Sequence, residues 1–115
     1  MPSEPIAEIQ PLELFSALKA KQQVLLLDVR ESEELQLANL PGSIHIPLGE
    51  IHARVDDVRR LASSDYALKV VYCRVGVRSE LAIEFLQAEG IQGLVNLRGG
   101  LNAYAAETDS RITPY

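Results

Sequence analysis

The sequence predicts an α/β protein with a largely parallel sheet that helices cover on both faces. Two observations and one general rule support this prediction. The chain has 115 residues, which is enough for one domain with a hydrophobic core but hardly for two. Short apolar runs have the character of buried strands, and segments with helical spacing of apolar residues alternate with them. Strands that alternate with helices pair in parallel through right-handed crossovers.

Three apolar runs are predicted to be strands that are buried on both faces. The first covers residues 24–27 and ends at Asp28. It is too short for a helix and shows no alternation with polar residues, which is typical of an interior strand of a parallel sheet. Residues 70–72 and 94–97 have the same pattern.

Four segments are predicted to be helical, because each carries apolar residues at helical spacing or a helix start signal. The first begins at Pro11 and carries Leu14, Phe15 and Leu18, and the second is an acidic stretch at 33–38 that Ser32 caps. The third carries Leu48, Ile51, Val55 and Val58. The fourth carries Ala82, Phe85, Leu86 and Glu89 and ends at Gly90. Pro41 and Gly42 must end the acidic segment.

The charge of the chain argues against several classes of function. The net charge is −5 and the pI is near 5.0, so the chain repels polyanions, and we expect no nucleic-acid or membrane partner. Residues 1–10 carry two glutamates where a signal peptide has a basic start and an apolar stretch. We therefore expect a cytoplasmic protein. A monomer is the default for a small acidic domain without an evident exposed apolar helix.

We expect one domain over residues 1–115, with loose ends at about 1–5 and 109–115 where proline and polar residues dominate. The chain has one cysteine, Cys73, and two histidines, His45 and His52, which is too few for a Cys/His zinc site. We therefore expect no metal, no cofactor and no internal disulfide. If Cys73 has a chemical role, it acts as a lone thiol.

Four arginines follow the predicted strands at the point where each strand ends. Arg30 follows the first strand, Arg74 and Arg78 follow the second, and Arg98 follows the third. Sites in parallel sheets form beyond the carboxyl ends of the strands. The arginines therefore predict an anion site at this edge, although the role of Arg98 stays open.

Cys73 lies between the second strand and the helix that follows it. A sulfur in such a turn faces unpaired backbone N–H groups and the helix dipole. Helix N-termini and neighbouring arginines lower a thiol pKa from about 8.5 to a range of about 3.5–7.5, so we expect a sizeable thiolate fraction at neutral pH. Gly76 can adopt a positive φ and keeps a Cβ out of the turn, as an anion-binding nest requires.

The segment that begins at Cys73 resembles the active-site loop of the rhodanese sulfurtransferases. Four blocks carry the resemblance in the family's order: Leu27, Asp28, Val29 and Arg30 with Glu34; Pro41, Gly42, Ser43, Ile44, His45, Ile46 and Pro47; Cys73, Gly76, Arg78 and Ser79; and Arg98, Gly99, Gly100 and Leu101 with Ala103 and Tyr104. They extend across nearly the whole chain. The resemblance implies a three-layer fold with about five mostly parallel strands and helices on both faces.

Some positions depart from the family pattern. Ala38 and Asn39 replace the usual Gly-His, which removes a histidine near the site without touching the nucleophile. Tyr104 stands where the family commonly has Trp. Val75 and Val77 are apolar where some members carry basic or polar residues, and this leaves the preferred sulfur donor open.

The resemblance implies that Cys73 takes a sulfane sulfur from thiosulfate or a related donor and holds it as a persulfide. The persulfide cradle would be the loop residues Arg74, Val75, Gly76, Val77, Arg78 and Ser79, with Arg78 and also Arg74 as candidates for binding the charged end of the donor. The acceptor, cyanide or a thiol that a protein can supply, must come from outside the chain, because there is no second cysteine. We expect Asp28 to brace the loop, and Arg30 and Glu34 to form a structural ion pair.

Three alternatives to a sulfurtransferase enzyme remain open. The first is a sulfur carrier or redox partner with little thiosulfate turnover. The second is a cysteine-dependent phosphatase or arsenate reductase, which needs five residues between Cys and Arg to wrap a tetrahedral oxyanion. Cys73 and Arg78 have four residues between them, and this favours a cradle for a single sulfur. The third is a binding module without activity, which the intact Cys73, Gly76 and Arg78 argue against.

Overall fold

Five strands form one parallel sheet in the computed structural model, which describes residues 5–108 and 112–115. They are β1 (Ala7–Ile9), β2 (Val24–Asp28), β3 (Ile44–His45), β4 (Leu68–Tyr72) and β5 (Leu94–Leu97). The strand order is β1-β5-β4-β2-β3, and every pair of neighbours is parallel. The predicted α/β class and the parallel sheet are confirmed.

The helices cover both faces of the sheet. They are α1 (Pro11–Lys19), α2 (Leu48–Ile51), α3 (Val55–Ala62), α4 (Val77–Ala88) and α5 (Gly100–Glu107), with a 3-10 helix at Ser32–Gln36. The core on one face joins the sheet to α2, α3 and α4, and the core on the other face joins it to α1 and α5. Successive residues of β4 alternate between these two cores, because side chains of a strand point to opposite faces.

Two helical predictions need correction. The series Leu48 to Val58 lies on two helices, α2 and α3, and not on one. Ser32 does not cap an acidic helix at 33–38; it lies inside the shorter 3-10 helix, and Glu31 precedes that helix. The backbone N–H of Glu31 donates to the carboxylate of Glu34 at 2.9 Å. The side chain of Glu34, three positions after Glu31, therefore caps the start of this helix.

Part of the segment expected to be loose at its C-terminal end packs on the domain. Ile112 and Tyr115 lie against the core on the α1 and α5 face. The backbone N–H of Tyr115 donates to the side-chain oxygen of Asn102 at 3.1 Å. Pro5, Thr113 and Pro114 are exposed and belong to no helix or strand, and the expectations for residues 1–4 and 109–111 lie outside the described residues. None of the helices in the described ranges is long and apolar enough to span a bilayer.

The strand register brings the ends of three central strands to one edge. In the strand register, Asp28 at the end of β2 is the partner of Tyr72 at the end of β4, and Asn96 of β5 is the partner of Val71. Cys73 therefore leaves the sheet from its middle strand, with residues that follow β2 on one side and β5 on the other.

Candidate active site

The sulfur of Cys73 is fully buried beneath the loop that joins β4 to α4. It accepts hydrogen bonds from the backbone N–H of Gly76 at 3.1 Å and of Ser79 at 3.4 Å. These donors are N–H groups at the start of α4, which lack a partner within the helix. The turn therefore presents positive dipole ends to the sulfur, as an anion-binding cradle does.

Gly76 and Gly100 allow the loop to adopt this shape. Gly76 has a φ of 102°, in the left-handed region that favours glycine. A Cβ on Gly100 would lie 2.3 Å from the carbonyl oxygen of Arg74, so only glycine fits beneath the loop. The next two N–H groups, of Leu101 and Asn102, donate to the carbonyls of Cys73 and Arg74 at 2.9 and 3.0 Å. The start of α5 thus supports the loop from below.

A second polar bridge, from Asn96 on β5, holds the loop from the side. The Asn96 amide nitrogen donates to the carbonyl of Gly76 at 3.1 Å, and its oxygen accepts the Ser79 hydroxyl hydrogen bond at 2.6 Å. The Gly76 carbonyl can only accept, so it fixes which end of the amide is the nitrogen. Ser79 Oγ lies 3.4 Å from Cys73 Sγ. Because the hydroxyl proton of Ser79 is donated to Asn96, the hydroxyl oxygen directs its lone pairs towards the sulfur.

Arg30 pairs with Asp28 and not, as predicted, with Glu34. Its Nε and NH2 groups donate to the two carboxylate oxygens of Asp28 at 2.9 and 2.8 Å, and both side chains are fully buried. Burial lowers the pKa of Arg30, but the hydrogen bonds with Asp28 and Tyr115 outweigh this effect and raise it above its ordinary value. Residue 30 precedes the 3-10 helix that carries Glu34. Arg30 therefore contacts Glu34 only at its backbone carbonyl, at 3.4 Å.

Glu34 pairs with Arg78 of the loop. The two guanidinium nitrogens of Arg78 donate to the two carboxylate oxygens at 2.6 and 2.9 Å. The Arg78 hydrogen bonds lower the pKa of Glu34 from 4.5 to about 2, and the same contacts raise the pKa of Arg78. Both groups are therefore ionised at neutral pH, and each neutralises the other.

Tyr115 joins these ion pairs to Arg74. Its hydroxyl donates to Glu34 at 2.6 Å and accepts from Arg30 at 2.8 Å. The guanidinium of Arg74 lies over the ring, 4.9 Å from its centroid. Burial raises the pKa of the Tyr115 phenol, and the neighbouring Glu34 carboxylate raises it further. The phenol therefore stays neutral and can bridge Arg30 and Glu34.

The predicted site residues divide into those that meet at the sulfur and those that do not. Gly76 and Ser79 contact the sulfur, whereas Val75 and Val77 are exposed at the surface of the loop. Asp28, Arg30 and Glu34 reach the loop through the pair with Arg78 and through Tyr115. Arg98 lies apart from this network, paired with Gln10 and Glu107.

The positions that replace the family's Gly-His have structural contacts. The carbonyl of Ala38 accepts a hydrogen bond from Arg30 at 2.7 Å, and the Asn39 amide donates to the carbonyl of Leu35 at 3.1 Å. His45 forms a 2.7 Å hydrogen bond with the carbonyl of Arg30. None of these contacts involves the sulfur.

Sequence reasoning missed Asn96 and Tyr115. Asn96 is the polar residue of the run Leu-Val-Asn-Leu, and a polar residue in a buried strand needs a partner, so this signal was available. Tyr115 lies 85 residues from Arg30 in the sequence, and no local pattern connects the two.

Comparison with known proteins assigns the family. The sequence model of the rhodanese-like domain matches residues 11–107, and the chain belongs to this family. A sulfurtransferase from Allochromatium vinosum is 32% identical over 100 residues, which cover 87% of this chain and 89% of that protein. Rhodanese-like/PpiC domain-containing protein 12, chloroplastic, from Arabidopsis thaliana is 32% identical over 115 residues, but this chain spans only 38% of its length.

A solved structure has the same fold. The crystal structure of a rhodanese-related protein from Thermoplasma volcanium superposes with a TM-score of 0.74 at 31% identity, over 89% of this chain and 93% of that one. The three-layer arrangement implied by the sequence resemblance is therefore confirmed.

Proposed function

We propose that the protein is a sulfurtransferase that moves a sulfane sulfur through a persulfide on Cys73. The observation that carries this proposal is the pair of backbone N–H groups, of Gly76 and Ser79, that donate to the buried Cys73 sulfur. Donors that are held in place stabilise negative charge on the sulfur without reorganisation. The family membership and the sulfurtransferase among the relatives support the same function.

In the first step, the Cys73 thiolate attacks the outer sulfur of thiosulfate or of a related donor. A sulfur–sulfur bond forms to Cys73, the bond inside thiosulfate breaks, and sulfite leaves with the electron pair. One thiolate and one dianion thus give one persulfide anion and one sulfite dianion. The loop N–H groups of residues 74–79 surround the bound sulfur in this proposal.

In the second step, cyanide or a thiolate attacks the outer sulfur of the persulfide and releases the Cys73 thiolate. Cyanide leaves as thiocyanate, and a thiolate leaves as a new persulfide, so the charge balances in both cases. The chain has one cysteine, so an internal disulfide cannot release the sulfur. The acceptor is therefore a second substrate, which suits a ping-pong reaction.

The turnover of thiosulfate and cyanide to thiocyanate and sulfite tests this function. We expect turnover that depends on both substrates, with kinetics typical of a substituted-enzyme mechanism. A chain that takes up sulfur from thiosulfate but passes it only to a protein thiol is instead a sulfur carrier. A chain that releases phosphate from an aryl phosphate and takes up no sulfur contradicts the proposal.

A further inference from the structure

The charges around the loop leave little to attract a dianion. The carboxylate of Asp28 neutralises Arg30 at 2.8 Å, and the carboxylate of Glu34 neutralises Arg78 through two hydrogen bonds. Among the residues that the structure describes, Arg74 is the cation of this group that no carboxylate pairs, and its guanidinium lies on the Tyr115 ring. The negative charge of the attacking Cys73 thiolate offsets the positive charge of Arg74.

The exposed surface of the loop and of the start of α4 carries aliphatic side chains as well as Arg74. Val75 is 53% exposed and Val77 is 61% exposed, and they lie on either side of Gly76. One turn further along α4, Leu81 is also half exposed. Exposed aliphatic side chains therefore lie beside Arg74 on the loop that covers Cys73.

We propose that Glu34 is a specificity-determining residue, because by neutralising Arg78 it favours donors with one negative charge and an apolar substituent over dianionic thiosulfate. This inference rests on the proposed function. It extends that function by naming the class of donor, which comprises organic persulfides and thiosulfonates. In a thiosulfonate an alkyl or aryl group replaces one charged oxygen of thiosulfate, and in an organic persulfide an alkylthio or arylthio group replaces the whole sulfonate group. The sulfane sulfur remains available for attack in both.

Methanethiosulfonate provides a matched probe, since it differs from thiosulfate by a methyl group in place of one charged oxygen. The Cys73 thiolate attacks its outer sulfur, the sulfur–sulfur bond breaks, and methanesulfinate leaves with the electron pair. One thiolate and one monoanion give one persulfide anion and one sulfinate anion. The transferred atom is the same for both donors, so a change in the ratio of their kcat/KM values reports on charge and not on sulfur chemistry.

The test compares Glu34→Gln with Glu33→Gln. Both variants lose one negative charge from the same 3-10 helix, but Glu33 is exposed and outside the network of ion pairs. In Glu34→Gln, no carboxylate neutralises the positive charge of Arg78 any longer. The electrostatic attraction between Arg78 and a donor scales with the negative charge of that donor. We expect kcat/KM to rise about tenfold for thiosulfate and about threefold for methanethiosulfonate, mainly through KM. In Glu33→Gln both values should change less than about twofold.

Arg74→Gln is a second variant that does not disturb a buried residue, because Arg74 is exposed. It removes the cation for which the described part of the chain supplies no carboxylate partner, so kcat/KM should fall about tenfold for thiosulfate and about threefold for methanethiosulfonate. If Arg74→Gln keeps the parental kcat/KM for thiosulfate, the assignment of Arg74 as the cation that attracts the donor is contradicted. An unchanged donor ratio in Glu34→Gln, or the same change in Glu33→Gln, overturns the role of Glu34. A parent protein that takes up sulfur from neither donor overturns the proposed function as well.

Discussion

Asn96 is a buried polar side chain whose two hydrogen bonds orient two groups beside the sulfur. It holds the Gly76 carbonyl away from Cys73, so the loop presents N–H groups to the sulfur. It also accepts the hydroxyl proton of Ser79. In this low-dielectric site, loss of Asn96 removes the acceptor of the Ser79 hydroxyl and leaves the Gly76 carbonyl with only the longer bond from the Glu80 N–H, at 3.3 Å. A buried hydroxyl that loses its partner costs more than the hydrogen bond contributes.

Asn96→Ala should therefore weaken both the fold and the site. We expect the free energy of unfolding to fall by about 1–3 kcal/mol, together with a slower formation of the persulfide. Urea unfolding and the rate of sulfur uptake from thiosulfate measure the two effects. Asn39→Ala is the matched control, since the Asn39 amide bonds one surface carbonyl, and it should cost less than about 0.5 kcal/mol. Equal effects of the two substitutions contradict the role given to Asn96.

At the scale of elements, the start of α4 fixes the size of the sulfur cradle. Gly76 and Ser79 both donate to the sulfur, and Asn96 connects the same two residues through their carbonyl and hydroxyl groups. The separation of residues 76 and 79 is therefore tied to the sulfur and to β5 together. A longer loop cannot keep both contacts.

Insertion of one Gly between Gly76 and Val77 tests the importance of this loop length. We expect thiosulfate turnover to fall by orders of magnitude, because a misplacement of about 1 Å already costs about 100-fold. Intact alkylation by iodoacetamide confirms that the thiol is still present. A Gly inserted after exposed Asp65 is the control and should leave turnover near the parental value. Parental turnover in the loop variant shows that loop length does not set the chemistry and restores the phosphatase alternative.

The elements also show which parts of the fold the sequence can predict. The apolar runs at 24–27, 70–72 and 94–97 are the interior strands β2, β4 and β5, whose burial on both faces leaves a clear pattern. The edge strands β1 and β3 have three and two residues, too few for any periodicity, so they were not predicted individually. The sequence does not predict which carboxylate pairs with Arg30, because the choice between Asp28 and Glu34 depends on the backbone geometry and not on the spacing of the residues.

At the scale of the whole molecule, the pair of Glu34 and Arg78 makes stability depend on pH. The pKa of Glu34 is lowered from 4.5 to about 2 by the Arg78 hydrogen bonds. A carboxyl with a lowered pKa stabilises the folded state above pH 4.5, and this contribution disappears as the pH falls towards 2. Since one pKa unit corresponds to about 1.4 kcal/mol, the contribution at neutral pH has an upper limit of about 3–4 kcal/mol.

Glu34→Gln should remove this part of the pH dependence. Near pH 7 we expect the variant to be less stable than the parent, and the difference should shrink between about pH 4.5 and pH 2. Urea unfolding at several pH values measures it, with Glu33→Gln as the control for loss of a charge alone. A stability difference that is constant with pH shows that Glu34 does not titrate with the lowered pKa.

The central claim is that Cys73 carries the transferred sulfur, and the intact mass of the protein tests it most directly. After incubation with thiosulfate and removal of the excess, the parent should gain the mass of one sulfur atom and lose it again when cyanide is added. Cys73→Ser should fold like the parent but gain no mass, because a hydroxyl cannot replace the thiolate as nucleophile. A parent protein that never gains the sulfur, or a Cys73→Ser variant that gains it equally, contradicts the account.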